Sequence, residues 1–250
     1  MAAEAWRIHK ESAEMPWLVR PSAPVLFFGD LTAYRASPLR VATVGLNPSK
    51  REFPGASPFS RFPGAQSGSI PAYLKSLEAY FRTDPYRTWF NSYEQALLGL
   101  GASFYGRKPS TALHTDICSV LPTDPTWGGL DRDVQQQMAA TGVLMWQRLI
   151  SYLRPHVILW STAGSWLAQN DLAPRSSLKD VLKFRWTENG APRKQPVVVR
   201  ACWYHLPKHE SVLIAFVPAA QTPLAMLSHP QKLKAGKAIR SFWAKGIRHS

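Results

Sequence analysis

The stretch Leu39-Arg40-Val41-Ala42-Thr43-Val44-Gly45-Leu46-Asn47-Pro48-Ser49 decides how the chain folds. Its β-branched run favours an extended strand, and Gly45 with Asn47-Pro48 stops that strand in a tight turn. Downstream, His156-Val157-Ile158-Leu159-Trp160 reads as a buried strand running into a helix over Thr162 to Gln169. Helical patterns fall at about 70–82 and 89–100, followed by a short strand around Ala112 to Cys118 and a loop from Pro122 to Gly129. Asp133 to Leu153 has apolar residues at helical spacing and ends at Arg154-Pro155. Two further strands, Val197 to Tyr204 and Val212 to Val217, are joined by Leu206-Pro207-Lys208-His209-Glu210. The basic stretch Lys179 to Gln195 reads as a loop, and so does Lys50 to Ser69, rich in Pro, Gly, Phe and Ser. Loops of that length in a compact domain are uncommon and often functional.

Strand–helix alternation through the first 170 residues predicts a three-layer α/β/α sandwich around a central, mostly parallel sheet. One domain would span 1–250, with Pro-rich, irregular residues 1–38 capping the sheet edge. A basic helix over 231–248 would present Leu233, Ile239, Phe242 and Trp243 on its apolar side. In such sheets ligands bind beyond the carboxyl ends of the strands. Asn47, Asp116, Ser161 and Pro218 all lie at or just past such an end, so parallel neighbours would bring them to one crevice.

Composition narrows the partner. The 250 residues carry 30 Lys+Arg against 16 Asp+Glu, a formal charge of +14 that favours a polyanion, above all nucleic acid. Apolar residues at 45%, with ten Trp, are ample for a core, so disorder is not the expectation. No run is long and apolar enough for a membrane span, and the charged N-terminal segment does not suit a signal peptide. The chain reads as cytoplasmic and monomeric. Two cysteines, Cys118 and Cys202, cannot make a four-cysteine zinc site or a conventional iron–sulfur cluster. No spacing among the His and Cys residues suggests a metal, and no cofactor is expected.

Strand β-branched residues followed by Gly45-Leu46-Asn47-Pro48-Ser49 resemble the first active-site motif of the uracil-DNA glycosylase superfamily, whose mismatch-specific and single-strand-selective branches carry G-x-N-P-G. Three later segments follow in the family's order. Leu113 to Pro122 resembles its base-reading strand end, and Val157 to Ser161 its third strand. Leu213 to Pro218, a loop, and Ser228-His229-Pro230-Gln231 lie where a second motif, His-Pro-Ser, is expected. The similarity covers about 39–245, with only the first motif close.

The resemblance implies a metal-free, monofunctional glycosylase that flips a base from DNA and leaves an abasic site. Asn47 would position the attacking water; an amide cannot take a proton, so catalysis would rest on charge stabilisation. Gly45, Leu46 and Pro48 would wall the pocket, and Phe59 and Phe62 lie where the family stacks an aromatic on the flipped base. Ser49 stands where strict uracil enzymes place a bulky Tyr against C5, so large 5-substituents should fit. Asp116 departs from the family's Asn. A carboxylate only accepts, so Asp116 either is protonated and reads uracil, reads an amino-bearing base such as a modified cytosine, or merely caps its loop. Modified cytosines occur in phage genomes, which suggests a defence role. The second motif is displaced: either His229 or Gln221 would serve the leaving base, or His229 only begins a helix. Lys50, Arg51, Arg61, Lys232, Lys234, Lys237 and Arg240 are candidate phosphate contacts, which position DNA without reading it.

Overall fold

The computed structural model describes residues 1–162, 164–168, 172–206, 211–217 and 222–247. Helices α1 (Ala2–Glu11) and α2 (Leu31–Ala36) precede strand β1 (Val41–Gly45). There follow α3 (Ile70–Ala79), α4 (Arg87–Leu100), β2 (Ala102–Ser103), β3 (Ser110–Asp116), α5 (Arg132–Leu153), β4 (Val157–Trp160) and α6 (Gly164–Ala168). The chain continues through β5 (Ala173–Pro174), β6 (Lys179–Trp186), β7 (Pro192–His205), β8 (Ser211–Phe216) and α7 (His229–Ile247).

Among the described residues the strands form one mixed, mostly parallel sheet of eight, in the order β2-β3-β1-β4-β8-β7-β5, with β6 paired to β7. β1 runs parallel to β4 with Val41 opposite Val157 and Val44 opposite Trp160. β4 runs parallel to β8 with Val157 opposite Leu213 and Trp160 opposite Phe216. Every residue of β1 and β4 is buried. Strands covered by helices on both faces need apolar residues at successive positions, which is why these runs do not alternate. This is the α/β/α sandwich that the strand–helix alternation predicts. No helix among the described residues is long and apolar enough to cross a membrane.

Two expectations about local structure are corrected. Lys179 to Gln195 is not a loop: β6 and β7 form an antiparallel hairpin through it, closed by a turn in which Gly190 N–H donates to Thr187 O (3.2 Å). Charge density suggested a loop, but Lys179, Lys183, Arg185 and Lys194 are exposed while Phe184 and Val197 are buried. An edge hairpin needs apolar residues on one face only, and cations suit its other face. Nor is the N-terminal stretch irregular throughout. Residues 2–11 form α1, with Ala5 fully buried and an Arg7–Glu11 ion pair of 2.6 Å one turn apart.

The chain divides into two compact units. One comprises Met1–Leu31, Gly45–Tyr86 and Leu113–Tyr152; the other comprises Thr32–Val44, Arg87–Ala112 and Leu153–Ser250. The first unit packs Phe28, Phe53, Phe62 and Tyr80 into an aromatic core, each no more than 3% exposed. In the second, α4 packs against α7.

Candidate functional site

Within the first unit, the segment that leaves β1 is zipped to the segment that leaves β3. Ile117 N–H donates to Gly45 O (3.0 Å), and Leu46 O accepts from Cys118 N–H (2.8 Å) and Ser119 N–H (3.2 Å). Further out, Thr123 N–H donates to Pro48 O (3.2 Å), and Lys50 N–H donates to Thr123 O (3.3 Å). The Gly45–Ser49 turn is therefore held along its length by a second strand end. Helix α5 backs this pair of segments. A Cβ on Gly142 would lie 1.9 Å from Cys118 O, so only glycine lets the helix approach so closely. Trp146 Nε1 donates to Thr115 Oγ1 (3.1 Å) from the same helix.

Asn47 is oriented by this zipper. Its Nδ2 donates to Pro48 O (2.8 Å), Leu121 O (3.2 Å) and Thr123 Oγ1 (2.9 Å). Two of the three are carbonyls, which can only accept, so the amide nitrogen must face them. Its Oδ1 has no hydrogen-bond partner among the described residues. Half-buried Asn47 thus presents a fixed acceptor, and what such an oxygen can do is orient an O–H.

Asp116 closes β3 beside Gly45. It is 7% exposed, with Oδ1 3.4 Å from Nε2 of the buried His114, an ion-pair distance rather than a short hydrogen bond. A Cβ on Gly45 would meet Asp116 Oδ1 at 2.4 Å and His114 Nε2 at 3.0 Å. Glycine at 45 is called for by this close approach. The Asp116 charge reaches its neighbours: burial first, then Asp116, pushes the Cys118 thiol well up.

A second buried carboxyl lies in this unit. Glu52 is 4% exposed, accepts from Tyr80 Oη, and has Arg61 at 3.6 Å. Burial, with a smaller push from Asp116, raises it to about 7 against the stabilising pull of Tyr80 and Arg61. Tyr80 stacks on Phe62 (centroids 5.5 Å apart) and meets Phe28 edge-on (4.6 Å). Phe28 in turn sits 5.5 Å from His114.

These contacts correct two expected roles. Phe62 is fully buried in the aromatic core and cannot stack on an incoming base; a loop Phe looked free because its partners are distant in sequence. Arg61 is turned inward, its side chain 12% exposed between Glu52 and Asp84 (3.5 Å), so it does not offer its charge to a phosphate. Phe59 is half-exposed, with its ring edge-on to Phe53 at 6.3 Å. Ser49 caps the short helical turn Lys50–Glu52 by accepting from Arg51 N–H (3.2 Å). Lys50 and Arg51 are exposed, and Lys50 pairs with Asp124 (2.7 Å).

In the second unit, Ser228-His229-Pro230-Gln231 is a helix start. Ser228 Oγ accepts from Gln231 N–H (3.4 Å) and Gln231 Oε1 accepts from Ser228 N–H (3.3 Å), the reciprocal pattern of a capping box. His229 is exposed at the first turn of α7. Lys232, proposed as a phosphate contact, is instead buried, and desolvation holds its ammonium below the usual range. Lys234, Lys237 and Arg240 are exposed along the same helix, and Ser161 is buried at the end of β4. Pro218 and Gln221 lie outside the described residues.

No pattern in the sequence marks His114, Glu52, Tyr80 or Thr123 as functional. His114 sits inside an apolar strand pattern, and Glu52 follows Lys50-Arg51 like a surface charge. Among the described residues no three His, Cys, Asp or Glu side chains are grouped to hold a metal. The sequence matches no family model and no curated protein.

Proposed function

We propose that the chain is a monofunctional DNA glycosylase that hydrolyses the N-glycosidic bond of a flipped pyrimidine. The observation that carries this reading is Asn47, its amide nitrogen fully engaged and its Oδ1 left as a fixed acceptor on the turn whose Gly45 closely approaches the buried Asp116. Held by Asn47 Oδ1, a water adds its oxygen to the anomeric carbon as the bond to the base nitrogen breaks. The bonding pair leaves with the base, and a water proton neutralises it. The products are the free base and an abasic site. The formal charge of +14 supports a polyanionic substrate.

Asp116 narrows the base. In this reading Asp116 serves as an acceptor, which suits the exocyclic amino group of a cytosine-type base over the O4 of uracil. With Ser49 small, a 5-substituted cytosine is the preferred substrate in this reading. Activity against phage DNA carrying such bases is the biological extension.

The test is release from oligonucleotides bearing uracil, 5-hydroxymethyluracil, cytosine or 5-hydroxymethylcytosine, followed by alkaline cleavage at abasic sites. Release from the cytosine-type bases is expected, and Asn47→Ala should abolish it while leaving the fold intact by circular dichroism. Undiminished release by that variant would remove Asn47 from the mechanism. Faster release of uracils would reverse the assignment of Asp116 and keep the glycosylase. The competing reading is a DNA-binding protein without chemistry. It is favoured by the capping role of the Ser228–Gln231 segment, which leaves no assigned group for the departing base among the described residues. No release from any base, with DNA binding retained, would select it.

A further inference from the structure

Trp186, at the end of β6, is 57% exposed, and its ring makes no aromatic contact or hydrogen bond among the described residues. The cause is local. Pairing with β7 shifts register between Phe184, opposite Val197, and Trp186, opposite Pro192. Such an irregularity breaks the in–out alternation of a strand and re-aims a side chain, and here Arg185 and Trp186 are both exposed. The Trp186 backbone, by contrast, is fixed. Its carbonyl accepts from Arg193 Nε (3.3 Å) and Gln231 Nε2 (2.9 Å), and Arg193 Nη2 also reaches Met226 O (2.8 Å) and Gln231 Oε1 (3.0 Å).

A single exposed apolar residue is ordinary on a protein surface. The surroundings of this one are not neutral. On the same hairpin, Lys179, Arg185 and Lys194 are exposed, with no ion-pair partner among the described residues. Asp180 is already shared between Lys183 (2.7 Å) and Arg200 (3.1 Å). Cations on an edge strand guard it against pairing with other chains. That function explains the cations but not an exposed indole carried on a fixed backbone in the same hairpin.

We propose that the β6–β7 hairpin is a landing surface for single-stranded DNA, with an unpaired base stacked on Trp186 and phosphates against Lys179, Arg185 and Lys194. It borrows from the glycosylase reading only the identity of the polymer; none of the residues around Asn47 take part. Base–aromatic stacking tolerates any sequence, while phosphate contacts make affinity depend on salt.

The two contributions have separate signatures. For a short labelled single-stranded oligonucleotide, Trp186→Ala weakens binding about ten-fold or more without changing the slope of log affinity against log salt. Trp186→Phe restores most of the loss. Arg185→Ala combined with Lys194→Ala reduces that slope by about 1.4, or ~0.7 for each lost phosphate contact. Unchanged affinity in Trp186→Ala overturns the proposal. So does displacement of the oligonucleotide by polyglutamate as readily as by unlabelled DNA, because charge alone would then account for binding. Base release measured on the same oligonucleotides keeps the two readings apart. Loss of affinity in Trp186→Ala with no release from any base upholds the landing surface and rejects the glycosylase. Release by wild type and Trp186→Ala at saturating protein, with equal affinities, does the reverse.

Discussion

Burial decides what each side chain near the β1 turn can do. Asn47 spends its donors on backbone carbonyls and Thr123, which leaves one acceptor with a fixed direction. Glu52 is buried without a full counter-charge: Arg61 stands 3.6 Å away, shared with Asp84. Its carboxyl accordingly sits at about 7, where an unfolded chain ionises it near 4.5. The folded state therefore binds a proton between those values that the unfolded state has lost. Stability contributed by this proton is complete below about 4.5 and is lost as pH rises through about 7. Urea midpoints should fall between pH 5 and pH 8 in the wild type and fall less in Glu52→Gln. Equal falls in both proteins would mean that another group carries the dependence.

At the scale of elements, α5 meets the site segments at its backbone as well as through the Trp146 side chain. A methyl at Gly142 would collide with the Cys118 carbonyl, which cannot rotate aside. In a free helix Gly→Ala gains about 1 kcal/mol. Here Gly142→Ala should instead cost about 1–3 kcal/mol, as overpacking does, and thermal or urea unfolding measures it. A variant as stable as the wild type would show that α5 shifts without penalty. The central elements were legible in the sequence for a physical reason. β1, β4 and β8 lie where both faces are covered, so nearly every residue is apolar and the run stands out. β6 was illegible because an edge strand buries one face, and its outward charges resemble those of a loop. The Gly45–Ser49 turn was visible through its own backbone demands. The burial of Phe62 and Glu52 was not, because it depends on Tyr80 and Arg61, which no local pattern connects to them.

At the scale of the whole molecule, each compact unit contains one of the chain's two cysteines. Cys118 lies in the unit with the Asn47 turn, Cys202 on β7 in the other, and both are buried free thiols. A buried thiol reacts with an alkylating reagent only when the structure around it opens, so its labelling rate is a clock for that opening. Cys118 keeps time for the zipper, since its N–H is bonded to Leu46 O and its carbonyl faces Gly142. Cys202, whose Sγ donates to Ser176 O (2.9 Å), keeps time for the sheet's antiparallel end. In increasing urea, two labelling rates that converge on one value would describe a molecule that opens as a whole. Rates that stay apart would describe one in which the segment bearing Asn47 comes undone on its own schedule, and no introduced probe is needed to tell the two cases apart.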